Sequence, residues 1–77
     1  MVPMTLSEAL TAYYNAAILR KGNVDDAIEA LRHTDLASAA RAKLDELDAL
    51  DLHLGGHLME RDFALYMHRQ ALQKALR

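Results

Sequence analysis

Arg20-Lys21-Gly22-Asn23-Val24-Asp25-Asp26-Ala27-Ile28 closes one helix and opens the next within nine residues. Two cations stand where a helix dipole favours positive charge, and Gly22 supplies the stop. Asn23 then caps a second helix, whose first turn carries Asp25 and Asp26, where anions are stabilised. A tight stop and start of this kind predicts an αα-hairpin.

Working backward, Thr5-Leu6-Ser7-Glu8 has the pattern of a capping box, with Thr5 and Glu8 each serving the other's backbone amide. Leu6, Leu10, Tyr13, Tyr14, Ala17 and Ile18 follow at spacings of three and four, which predicts a first helix over about 5–21 with a broad apolar stripe. Working forward, Val24, Ala27, Ile28 and Leu31 make the face of a short second helix over 24–33. Thr34-Asp35 opens a third over 36–54, with its seam at Leu36, Ala40, Leu44, Leu47, Leu50 and Leu54 and an Ala-rich turn at 37–42. Gly55-Gly56 is the strongest break in the chain. A fourth helix is expected over 58–76, with apolar residues spread unusually far around its cylinder. One buried stripe needs less than this. The spread places that helix at the centre of the fold, or against another chain.

These four segments predict an all-α fold: a compact four-helix bundle forming a single domain over 1–77, completed by self-association. The composition agrees, being rich in Ala and Leu with one proline. Seventy-seven residues support one small core of thin net stability.

The segment Ala9–Leu31, with Tyr13-Tyr14-Asn15-Ala16-Ala17 and then Lys21-Gly22-Asn23-Val24-Asp25-Asp26-Ala27-Ile28, resembles the helix-turn-helix of one tetratricopeptide repeat. Gly22 falls where that family has a turn glycine, and Ala27 where it has a small packing residue. The resemblance implies stacked helical pairs with a peptide-binding concave face. It covers less than a third of the chain. The family's first-helix tryptophan is absent, Asn15 stands at its glycine position, and nothing after Leu31 repeats the period. A tight helical hairpin asks for the same glycine and small residue on packing grounds alone.

There is no cysteine, which excludes disulfides, thiolate metal sites and cysteine nucleophiles. With no signal-like segment at Met1-Val2-Pro3-Met4-Thr5 and no long apolar run, a cytoplasmic location without membrane insertion is expected. The formal charge of −2 is unevenly spread. Residues 22–56 carry eight acids against Arg32, Arg41 and Lys43, whereas 57–77 carry Glu60 and Asp62 against Arg61, Arg69, Lys74 and Arg77.

Candidate chemistry is sparse. His53, His57 and Glu60 flank Gly55-Gly56 at spacings known from metal sites, but the histidines share a face only if one helix runs through the glycines. No metal or other cofactor is therefore expected, and a metal-binding protein using His53 and His57 stands as an alternative. Ser7 and Ser38 lie at helix starts without a local histidine partner, so no enzymatic activity is expected. The pair of helices joined at His33-Thr34-Asp35 makes a poor DNA reader, because Leu36-Ala37-Ser38-Ala39 offers little to base edges. A nucleic-acid-binding regulator using the basic last helix is a second alternative, with nucleic acid an unlikely partner given the net charge.

Asp45, Asp48 and Asp51 crowd the end of the third helix, where the dipole disfavours anions. Met59, Phe63, Tyr66 and Met67 add apolar and aromatic surface on the fourth. Together these seven residues form the expected interaction surface of a small helical protein–protein interaction module, an adaptor, regulatory or assembly subunit. Its partner would be a second copy or another protein.

Overall fold

The computed structural model describes residues 4–76, and they are helical nearly throughout. Five helices follow in order: α1 Leu6–Ile18, α2 Val24–Arg32, α3 Thr34–His53, α4 Leu58–Arg61 and α5 Phe63–Ala75. No strand occurs among the described residues. Residues 1–3 and Arg77, the last cation assigned to the final helix, lie outside them.

The predicted caps form. The Thr5 hydroxyl accepts from the Glu8 amide at 3.1 Å, and Glu8 Oε1 accepts from the Thr5 amide at 3.3 Å. Asn23 Oδ1 accepts from the amides of Asp25 and Asp26 at 2.8 and 3.2 Å. The first helix stops earlier than expected, however. Arg20 takes the left-handed conformation at φ 55, and Lys21 N–H reaches back to the Asn15 carbonyl at 3.0 Å. Gly22, at φ 99, then makes a second bend into Asn23. The stop is thus shared between a glycine and an arginine that bears a steric cost.

The third helix starts two residues before its expected Leu36. His33 Nδ1 accepts from the Asp35 amide at 3.3 Å, so one residue ends α2 and caps α3. At the far end Gly55, at φ 68, closes a Schellman motif. Its N–H donates to the Leu52 carbonyl at 3.0 Å, and Gly56 N–H donates to Asp51 at 2.8 Å. The glycines therefore end the helix, as their letters imply.

The larger correction concerns the last segment. The single helix expected over 58–76 is two helices, so the described chain is a five-helix fold rather than a four-helix bundle. Asp62 is extended, at φ −155 and ψ 103, and its carboxylate accepts from the Leu65 amide at 3.2 Å. A short acidic side chain competes for backbone amides and favours an N-cap over a helix interior. It ends α4 and starts α5 afresh.

α5 is the axis of the molecule, packing against α1, α2, α3 and α4. Its Met67, Ala71, Leu72 and Ala75 are buried with Ala9, Leu10 and Tyr13 of α1, Ala27, Ile28 and Leu31 of α2, and Ala40, Leu44 and Leu47 of α3. Buried alanines on every long helix permit this close approach. The wide apolar spread of the last helix is thus covered largely within one chain. The α1–α2 hairpin of the tetratricopeptide resemblance is present but not repeated, since the following helices run 20, 4 and 13 residues.

Polar links tie the axis in place. Tyr13, whose ring is buried, donates its hydroxyl to Gln70 Oε1 at 2.9 Å and accepts from Lys74 Nζ at 3.0 Å. Arg32 of α2 donates to the carbonyls of Ala75 and Lys74 at 3.0 and 3.1 Å. A cation thereby satisfies the free carbonyls at the end of α5.

Candidate functional site

The expected interaction surface divides into three environments. Met67 is only 5% exposed and belongs to the core cluster, so it is withdrawn from the surface. Its position on α5, one turn from Phe63, looked equivalent by spacing alone. Packing by the other helices separates the two.

The acidic end of α3 is largely satisfied inside the chain. Arg69 Nε donates to Asp48 Oδ1 at 2.6 Å, and its Nη1 lies 3.7 Å from Asp51 Oδ2. Asp51 Oδ1 also accepts from the Leu58 amide at 3.2 Å, fixing the chain as it re-enters a helix. Asp45 is exposed and takes no part in this cluster. Charge that looked like an invitation to a partner is mostly a structural clamp.

An aromatic face remains. The Phe63 ring sits edge-on to Tyr14, with centroids 6.3 Å apart and planes at 73°, and stacks on Tyr66 at 6.3 Å and 25°. Phe63 is 41% exposed and Met59, in the turn before it, 54%. On α1, Ile18 lies one turn beyond Tyr14 and is exposed, so the apolar strip continues along that helix. The Asp62 break positions Phe63 at the very start of α5, where no further turn of helix covers it. Tyr14 was legible in sequence as part of the first helix's stripe, but its pairing with Phe63 bridges elements 49 positions apart and leaves no local signal.

Beside this face a groove of about 450 Å³ opens between α1, α3 and α5. Leu6, Ser7 and Leu10 line one side, Leu65 and His68 the other, and Lys43 contributes from α3. Burial in the first place, and Lys43 in the second, hold the His68 imidazole below its usual value, while Asp62 works in the opposite direction. Lys43 Nζ lies 3.6 Å from the exposed Glu46.

His53 and His57 are separated by the Schellman turn, and His57 Nδ1 lies 3.4 Å from Glu60 Oε1. Among the described residues no three His, Asp or Glu side chains converge as a metal site would require. The cations of the last helix are partly engaged, Arg69 by Asp48 and Asp51 and Lys74 by Tyr13, where it also lies 5.4 Å from the ring centroid. No helix among the described residues is long and apolar enough to cross a membrane.

No protein-family model matches the chain, and neither does any curated protein or solved structure.

Proposed function

We propose that this protein is a small helical interaction module that associates with a second copy of itself through the Tyr14–Phe63–Tyr66 face. The observation that carries the reading is the exposed Phe63 ring, held between two tyrosines at the start of a helix. Aromatic rings supply large contact area with few rotatable bonds and are enriched at interface centres.

The apolar spread of the last helix does not itself call for a partner, because α5 is covered by its own chain. What is left is a modest patch, of the kind that makes small and reversible contacts. Association in the micromolar range or weaker follows. Amide and aromatic NMR signals followed through a dilution series test this. Concentration-dependent shifts confined to Tyr14, Ile18, Phe63 and Tyr66 are expected. Spectra that do not change with concentration, or changes centred elsewhere, would overturn the assignment of the face.

A further inference from the structure

We propose that the groove between α1, α3 and α5 is a binding site for a small amphiphilic carboxylate, with the aliphatic part against Leu6, Leu10 and Leu65 and the carboxylate against Ser7, Lys43 and His68. The inference does not depend on the aromatic face docking a partner. The groove is shallow and open to solvent, holds about 450 Å³, and has a mainly apolar lining with three polar side chains among six, the mixture that suits an amphiphile. The three polar side chains in the lining can all donate hydrogen bonds, and none of the six lining residues is acidic.

The nearby acids are already committed or weakly held. Asp62 caps the Leu65 amide at 3.2 Å. Glu46 meets Lys43 at 3.6 Å with most of its side chain in water, a contact that solvent screens and that a bound anion can displace. The apolar walls decide the tail: three leucines, Leu6 and Leu10 from α1 and Leu65 from α5, while Glu8, between the first two in sequence, is outside the lining and its carboxylate accepts from the Thr5 amide. A bare inorganic anion would leave that surface unused.

His68 provides an internal reporter. Lys43 from α3 disfavours its protonated form and Asp62, at its own helix's start, favours it, while Leu6, Ser7 and Leu10 from α1 do not titrate. A carboxylate placed between Lys43 and His68 adds a further favourable partner, so binding raises the imidazole pKa, and binding strengthens as pH falls.

Octanoate is the direct probe, with 1-octanol as its uncharged match, titrated into the full chain and followed by NMR. Octanoate is expected to give saturable shifts at Leu6, Leu10, Leu65 and His68, and to bind about five- to tenfold more tightly than octanol. The His68 titration moves upward in the presence of octanoate. Lys43→Gln, a change at a half-exposed side chain, removes the preference for the acid. Equal binding of acid and alcohol would overturn the proposal. So would octanoate shifts that spread over the chain without saturating, or a His68 titration that octanoate leaves in place.

Discussion

Two stretches of the C-terminal segment, 58–63 and 67–75, are similarly apolar and meet opposite fates. Met67, Ala71, Leu72 and Ala75 are enclosed by four other helices, while Met59 and Phe63 face water. Leu58 shows that the division does not follow position alone, since it lies in the first stretch and is buried. What separates the stretches is Asp62. By ending α4 and capping α5 it redirects the chain, and Phe63, next to the break, lies at the margin of the packed face, meeting α1 edge-on at Tyr14 while staying 41% exposed. Hydrophobicity proposes burial; topology decides which residues receive it.

The sharpest way to break this comparison is to truncate one side chain in each stretch. Leu72→Ala opens a cavity beneath four helices and is expected to cost about 2–5 kcal/mol, comparable to the total stability of so small a fold. Phe63→Ala removes a ring that is 41% exposed and paired with two tyrosines, and should cost about 1–2 kcal/mol, less than the core truncation. Urea unfolding followed by circular dichroism reads both. Similar losses at the two sites would mean that Phe63 is core.

The acidic end of α3 permits a second contrast. Arg69→Ala leaves Asp48 and Asp51 uncompensated at a partly buried position, and a loss of about 1–2 kcal/mol is expected, between the values for exposed and buried pairs. Asp45→Ala should change stability by less than about 0.5 kcal/mol. If both variants melt like the parent, the clamp contributes nothing.

Asp62→Ala removes the cap that creates the division and should cost about 1 kcal/mol. Amide exchange at Leu65, whose N–H loses its acceptor, should quicken locally. An unchanged rate there would show that backbone geometry alone maintains the break.

The pH response is expected to be smaller still. The folded His68 binds its proton less readily than the ordinary imidazole, whose value is 6.5, because burial and Lys43 oppose the charge. The unfolded chain therefore takes up the proton first as pH falls. Stability from this residue is full above about 6.5 and declines below it until the folded form also protonates. His68→Gln should flatten that part of the profile, and thermal melts between pH 5 and 8 would register it.

Much of the architecture was legible in the sequence where the signal was local. Thr5 with Glu8, Asn23 with Asp25 and Asp26, and Gly55 with Gly56 each act within three or four residues of themselves, so helix ends could be read from letters. His33 as a cap and Arg20 in a left-handed conformation were not legible, since neither residue type favours its position. Asp62 passed for a first-turn acid in a continuous helix. The contacts that sort the candidate site are tertiary: Arg69 to Asp48, Tyr14 to Phe63, and Arg32 to the end of α5. Nothing in the spacing of Met67 and Phe63 distinguishes core from face; the packing of α1–α3 does.

The central claim is that the core closes within one chain and leaves the Phe63 face open for a second copy. Sedimentation equilibrium of the parent and of Phe63→Ser, from tens to several hundred micromolar, tests it most directly. The parent's average mass should rise above 8.6 kDa with concentration, while Phe63→Ser stays at the monomer mass and remains helical by circular dichroism. A parent that remains at 8.6 kDa throughout, or a Phe63→Ser chain that associates equally well, would contradict it.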